Sequence, residues 1–372
     1  MSLFAGTAGF YRQYRPGIPE DVAAVLDAAV HQGRPRRLLD VGTGTGLVVD
    51  GSAYALGEPL GQLVLVSYPG GQVRTITNDL NDYAGLSMTA DSASIVTLLT
   101  QTNSSLWVAP TKDTDSARRV TSGSLKFDGL VRWSPSGKIV YGAIVGTTVN
   151  VWIMEADGSN PQALMSSTEG NWGGTFTPDG KRLVFISKRS GTKSIWIMDA
   201  DGGNLKQLTH GEDDWAPNVS PDGKWLFYKS LRSGRGEEWK VPIEGGEPVS
   251  LTGQIDSSPQ FSLDGKLMAF LKDGSIVVAP TDGQGPFKTL DDLGDPVPKF
   301  GPDGKSLTFV KTENGVSNLW SQPLDGGKPV QLTHFTSDQI WTAQYDWSHD
   351  RKQLAMVRSS TNSDIVMITG FR

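Results

Sequence analysis

A short turn recurs along the chain and limits what it can fold into. It reads Ser/Thr-Pro-Asp-Gly-Lys or a decayed version: TADSA around Asp91, SPSGK around Ser136, TPDGK around Asp179, SPDGK around Asp222, SLDGK around Asp264, GPDGK around Asp303 and SHDRK around Asp350. The spacings are 45, 43, 43, 42, 39 and 47 residues, so seven units of about 43 fill the chain from roughly residue 78 to its end. A period of that length is the signature of a propeller blade.

Comparison of the units gives four strands in each. An apolar stretch precedes the turn (Val131-Arg132-Trp133, Thr175-Phe176, Asn218-Val219, Gln260-Phe261) and a second follows it (Ile139–Tyr141, Leu183–Ile186, Leu226–Tyr228). A third carries Trp107, Trp152, Trp196, Trp239 or Trp320, with Val277 in that place in one unit, and a fourth ends in Leu-Thr or its like, as at Leu208-Thr209 and Leu332-Thr333. Asp-Gly and Gly-Gly between third and fourth strands supply the positive-φ residues that tight hairpins need. One such sheet cannot bury both faces, whereas sheets stacked radially can, so the tryptophans are expected to pack between blades. The predicted fold is all-β: a seven-bladed propeller of four-stranded antiparallel blades over residues 47–372, with a short α/β segment at 1–46. The last unit has room for three strands, around 344–345, 353–357 and 365–368, and Gln72–Thr77 is the expected closing strand. An eight-bladed version would close on Arg36–Leu39 instead.

The units with Ser-Pro-Asp-Gly-Lys, Trp-Ile-Met-Asp-Ala-Asp-Gly-Gly-Asn and Gln-Leu-Thr resemble the WD-repeat-like propeller repeats of TolB-type proteins. SYPGGQVRTITNDLNDYAG (67–85), EEWKVPIEGGEPVSLT (237–252), VSNLWSQPLDGGKPVQLTHFTSDQI (316–340) and SDIVMITGF (363–371) are similar to propellers at the C-terminus of bacterial receptor-type serine/threonine kinases and of winged-helix regulators. The resemblance implies a sensory or protein-binding module, extracytoplasmic in its usual setting. No Gly-rich kinase loop, HRD or DFG occurs here, so kinase activity does not carry over.

Residues 10–46 have another character. A helix is expected over 19–33, followed by the strand Arg37–Val41 and Gly42-Thr43-Gly44-Thr45-Gly46. This resembles the opening of a class I S-adenosylmethionine-dependent methyltransferase, which would make Asp40, Gly42, Gly44 and Gly46 the cofactor contacts. The likeness then breaks: LVVDGSAYALGEPLGQ supplies no second strand with a ribose-binding acid. The expectation is therefore a chain without cofactor, the alternative being a methyltransferase, or a remnant of one, fused to a propeller.

Catalytic signatures are otherwise missing from the sequence. Cysteine is absent, no Gly-x-Ser-x-Gly occurs, and His31, His210, His334 and His349 form no metal-ligand spacing. Net charge is −6, which gives no footprint for nucleic acid. No apolar run spans a membrane and the start is unlike a signal peptide, which as written reads as cytoplasmic.

One recurrence bears on binding. Eight residues before the anchors stand Asp128, Asn171, Asp214, Asp256 and Asp295, with Tyr83 and Thr342 in the other two units. Symmetry should gather them near one mouth of the propeller channel. Each side chain could bond nearby backbone in an Asx-type turn. Alternatively they form an acidic collar, flanked by Trp172, Trp215 and Trp341, that attracts a cation or a basic peptide. The expected function is a non-catalytic module that binds a protein, peptide or small ligand at this loop-rich face.

Overall fold

The computed structural model describes residues 37–370 apart from 42–44, 56–57, 68–72, 78, 80, 90–92, 122–126, 146–147, 166–168, 212, 252–254, 283–287, 291–292, 294–297, 339 and 341–343. The helix expected at 19–33 lies outside these residues. The chain divides into two compact units, residues 1–102 with 361–372, and residues 103–360.

The larger unit is a propeller, and its repeated turn shows why the motif has its composition. In the third blade Ser220 Oγ donates to Asp222 Oδ1 at 2.5 Å and accepts the Trp225 N–H at 2.9 Å, while Asp222 Oδ1 takes the Lys224 N–H at 3.0 Å. The same bonds recur at Thr177/Asp179, Ser262/Asp264 and Ser348/Asp350. The turn glycines sit at φ between +66 and +71° at Gly180, Gly223, Gly265 and Gly304, where a side chain is strained. Proline and glycine also meet between blades. A Cβ on Gly265 would lie 2.7 Å from Pro221 of the blade before, and one on Gly180 would lie 3.4 Å from Pro135. Where Leu263 replaces the proline, the following Gly304 has open space.

Six blades form from the described residues, in place of the seven, or eight, that the anchors predict. The first has strands Phe127–Trp133, Ile139–Val145, Thr148–Met154 and Gln162–Ala163, and the second Asn171–Phe176, Arg182–Ser187, Ser194–Asp199 and Lys206–Gln207. The third has Asp214–Val219, Trp225–Ser230, Glu237–Pro242 and Val249–Ser250. The fourth has Gln260–Phe261, Leu267–Lys272, Ser275–Pro280 and Lys288–Leu290, and the fifth Lys299–Phe300, Ser306–Glu313, Val316–Pro323 and Val330–Gln331. First strands of neighbouring blades lie against one another and so form the inner ring.

The sixth blade closes the ring two strands against two. Tyr345–Trp347 and the first part of Gln353–Thr369 meet the last part of Ser94–Pro110, which pairs in turn with Arg118–Arg119. Ser104 and Ser359 face each other across this seam, Oγ to Oγ 2.8 Å. The correction has a local cause. In other blades the hairpin between second and third strands turns on Gly191, Gly234, Gly274 or Gly315, all at positive φ. Residues 101–105 (QTNSS) and 359–364 (SSTNSD) hold no glycine, and there the chain runs on as strands of 17 residues each. The separate strand expected around 365–368 is thus the continuation of the one that begins at Gln353.

Apolar clusters fill the spaces between blades. One joins Leu106, Val108 and Val357 of the sixth blade to Val131, Tyr141 and Met154 of the first; another joins Val184, Ile195 and Leu208 of the second to Leu226, Tyr228 and Val241 of the third. Trp152 and Trp239 pack on these clusters, as the sequence predicts, and Trp196, Trp320 and Trp107 do so elsewhere.

The smaller unit holds a four-stranded antiparallel sheet, Arg37–Val41, Thr45–Ala55, Glu58–Ser67 and Val73–Thr75, in sequential order. Val73–Thr75 pairs with Val64–Val66, so it does not close the propeller, and Arg37–Val41 pairs with Thr45–Val49. Asp82–Met88 pairs with the first part of Ser94–Pro110, and Leu63, Tyr83 and Ile95 are buried with Ile76 and Ile368 around them.

Candidate functional site

The inner strands and the loops that enter them position the residues singled out in sequence. In the second and third blades the entry has one build. Asn171 pairs with Ser187 and Asp214 with Ser230; the register then slips between Trp172 and Gly174, and between Trp215 and Asn218. Gly173 and Ala216 occupy the same place in the two bulges at φ +49 and +53°. The bulge changes the direction of the strand just after Trp172 and Trp215.

The polar member of each of these two entries is buried and bound by neighbouring groups. Asn171 is fully buried; its Oδ1 accepts from Arg189 Nη2 at 3.0 Å and its Nδ2 donates to Asn150 Oδ1 at 3.3 Å. Asp214 is fully buried, with Oδ2 accepting the Gly211 N–H at 3.3 Å and Oδ1 without a hydrogen-bond partner. A Cβ on Gly211 would lie 2.6 Å from that Oδ1 and 2.9 Å from Arg232 Nη2, so a side chain there would have to push one of them aside. Asp256 is exposed; its Oδ2 accepts the Asp273 N–H at 2.7 Å and its carbonyl takes Lys229 Nζ at 3.1 Å. These are the short backbone and side-chain bonds that such residues make in turns.

The tryptophans differ in exposure. Trp172 is nearly buried, with the ammonium groups of Lys193 and Lys188 at 5.3 and 5.9 Å from its ring. Trp215 is half-buried and lies against Gly236, where a Cβ would come within 3.2 Å of the indole. Asp128 lies in the strand Phe127–Trp133, Asp40 in Arg37–Val41 and Gly46 in Thr45–Ala55. Asp40 pairs with Gly46 across an antiparallel hairpin, where the methyltransferase likeness calls for a helix after the strand. Asp295, Trp341, Gly42 and Gly44 lie outside the described residues, and among the described residues no cluster of three or more His, Asp or Glu side chains forms.

A set that the sequence reading overlooked stands beside these residues. A cation covers the third-strand tryptophan in four blades: Arg189 over Trp196 at 5.0 Å, Arg232 over Trp239 at 4.5 Å, Lys311 over Trp320 at 5.1 Å and Arg358 over Trp107 at 4.7 Å. Arg189 and Arg232 fold back onto Ser187 and Ser230 by their Nε atoms, at 3.0 and 3.3 Å. Their signal is SKRSG (187–191) and SLRSG (230–234), 43 residues apart. Burial lowers the pKa of Arg189 and of Arg358 from the ordinary guanidinium value.

Further along the inner strands, two residues before each turn, stand Arg132, Thr175, Asn218, Gln260, Lys299 and Asp346. Several link one inner strand to the next. Asn218 Nδ2 donates to the Pro259 carbonyl at 2.6 Å, Asp346 Oδ2 accepts the Trp133 N–H at 2.9 Å, and Lys299 Nζ reaches the Tyr345 carbonyl and, at 3.3 Å, Asp346 Oδ1.

Residues 132–290 match the family model of the TolB beta propeller domain. Among solved structures it is similar to a TolB-type protein from Agrobacterium tumefaciens, at 21% identity and TM-score 0.55, covering 70% of this chain and 99% of that one. It is also similar to TolB from Acinetobacter baumannii, at 15% identity and TM-score 0.50, covering 89% and 81%. Among curated proteins, 93 residues, 25% of this chain, are 30% identical to Tricorn protease homolog 1 of Streptomyces coelicolor. That match spans 8% of the relative's length. Among the described residues no helix is long and apolar enough to cross a membrane.

Proposed function

We propose that the propeller is a non-catalytic module that binds a protein or small ligand at the end of the ring where its inner strands begin. The observation that carries this reading is the contrast at that end between fixed and available groups. Asn171 and Asp214 are buried and hold the entry loops, while Trp215 and Asp256 keep exposed surface beside them. A rigid support under a half-exposed indole is the arrangement that lets one aromatic anchor carry much of a binding energy. Trp172 stands at the equivalent position of the second blade, and the acidic residues of this recurrence in the sequence, Asp128, Asp256 and Asp295, would favour a basic peptide or a cation. An extracytoplasmic sensory setting is in keeping with the resemblance of the repeats.

The test places a photo-crosslinking amino acid at Trp215 in the full chain within its native cells, with a control at Lys224 beside the repeated turn at the opposite end of the blade. The expected result is one discrete crosslinked species from Trp215 and none from Lys224. Trp215→Ala should then weaken binding of that species at least about tenfold, or about 1.4 kcal/mol, with the melting temperature unchanged. Equal crosslinking at both sites, or none at Trp215, overturns the reading.

A further inference from the structure

The sixth blade carries a second, separate feature. A cleft of about 470 Å³ opens along the seam, walled by Ser105, Trp107, Asp338, Arg358 and Ser360. Asn103 and Arg119, which have partners of their own, border it. Its size falls in the range of small-molecule sites. Ser105 and Trp107 alternate along one strand and Arg358 and Ser360 along its neighbour, so both strands turn one face to the cleft. The adjacent Ser104 and Ser359 point to the opposite face, where they are buried and bonded to each other.

The Arg358–Asp338 pair is fixed before any ligand arrives. The guanidinium lies between Trp107 at 4.7 Å and Phe335 at 4.0 Å, and its Nη2 donates to Asp338 Oδ2 at 3.0 Å and to the Ser337 carbonyl at 3.3 Å. The two charges cancel, so the pair itself favours neither an anion nor a cation. Other polar atoms of the wall remain unengaged. Arg358 Nη1, Asp338 Oδ1, Trp107 Nε1 and the hydroxyls of Ser105 and Ser360 make no hydrogen bond within the chain, and none of them is buried. By contrast, the indole nitrogens of Trp152, Trp196 and Trp239, which hold the equivalent place in the first three blades, are buried. The cleft thus presents donors from Arg358 and Trp107, an acceptor from Asp338 and two hydroxyls that can do either.

We propose that this cleft binds a neutral polyhydroxylated ligand, a saccharide unit, whose hydroxyls donate to Asp338 Oδ1 and accept from Arg358 Nη1 and Trp107 Nε1. Ser105 and Ser360 complete its hydrogen bonds. A ligand that displaces water from such a wall must return donors and acceptors together. Each hydroxyl of a sugar does both, so a sugar meets the mixed set in any order, whereas an amide divides the two roles between N–H and C=O. The site lies in the closing blade, three blades from Trp215, and is independent of the reading given to that residue.

Calorimetric titration of the full chain with glucose, galactose and mannose tests the assignment, with benzoate and N-acetylalanine methylamide as the anionic and amide controls. At least one hexose is expected to bind saturably, with both controls at least about tenfold weaker. Ser105→Ala combined with Ser360→Ala should weaken that hexose about tenfold at an unchanged melting temperature, because two hydrogen bonds are lost from half-buried side chains. Trp215→Ala should leave its binding unaltered. Absence of saturable heat for all three hexoses up to about 50 mM, equal or tighter binding of either control, indifference to the serine changes, or loss of hexose binding on Trp215→Ala overturns the proposal. The comparison of probes on the unmodified chain decides it even if the double variant folds poorly.

Discussion

The carboxylate of Asp346 accepts the backbone N–H of Trp133 at 2.9 Å, and so ties the last blade of the propeller to the first. Its other oxygen stands 3.3 Å from Lys299 Nζ in the fifth blade. One side chain thus joins three consecutive inner strands at the point where the ring closes. Lys299 is only 6% exposed, and its Nζ also reaches the Tyr345 carbonyl.

Asp346→Ala should destabilise the propeller by about 2–4 kcal/mol, because it takes the carboxylate away from the buried Lys299 ammonium and the acceptor away from the Trp133 N–H. Lys299→Met in the same chain should recover a measurable part of that loss by removing a buried charge that has lost its carboxylate. Urea unfolding of the two variants and of their combination measures the coupling. Additive losses would show that the pair acts independently.

The contact between turn proline and turn glycine makes two glycines unequal. Gly265→Ala meets both a φ of +70° and Pro221 at 2.7 Å, and should cost about 2–3 kcal/mol. Gly304→Ala meets only the backbone term, at φ +66° in open space, and should cost about 1 kcal/mol. Thermal unfolding of both separates the packing contribution from the conformational one.

Glu238 is almost fully buried between the third and fourth blades, bonded to Ser258 Oγ at 2.8 Å with Lys229 at 3.6 Å. Burial raises its pKa above the usual carboxylate range, against the lowering effects of Ser258 and Lys229. The folded chain therefore binds this proton more readily than the unfolded chain does. Its contribution is present in full below the ordinary carboxylate pKa of about 4.3 and is lost as pH rises through the raised folded value. Glu238→Gln should raise the melting temperature at neutral pH, and the gain should vanish on acidification to about pH 4. A gain that does not change with pH would point to packing instead of charge.

The turn aspartates run the other way. The hydroxyl bonds from Thr177, Ser220, Ser262 and Ser348, each followed by a backbone N–H, hold Asp179, Asp222, Asp264 and Asp350 below the ordinary carboxylate value. A depressed folded pKa stabilises the fold above the unfolded value of about 3.9 and ceases to do so as pH falls through the folded one. Replacing Asp222 with Asn should flatten the loss of stability below about pH 4, which acid titration followed by circular dichroism would detect.

Much of the fold is legible in the sequence because its determinants are local. Ser, Pro, Asp and Gly of the repeated turn each have a bond or a contact that needs that residue type. Blade number is not local in that sense. The anchor at Asp91 follows a strand, Asp82–Met88, with the same register slip, between Ala84 and Leu86, that marks true blade entries. What removes it from the propeller is the lack of a glycine turn at 101–105 and again at 359–364, two places more than 250 residues apart. The polar collar was readable as a recurrence, yet the burial of Asn171 and Asp214 depends on Arg189 and Gly211 from neighbouring loops. The cation over four of the tryptophans escaped because it arises from two positions, Arg189 and Arg232 after the strand but Lys311 and Arg358 within it.

Closure of six blades by two strands from each side of the seam is the central claim, and the absence of cysteine makes it directly testable. Ser104→Cys with Ser359→Cys should form a disulfide under mild oxidation, because the two hydroxyls stand 2.8 Å apart. The oxidised chain should run faster than the reduced one on a denaturing gel and unfold at higher urea, by up to about 3–5 kcal/mol for so long a loop. Two free thiols after oxidation, with no change in mobility or stability, would contradict the six-bladed closure.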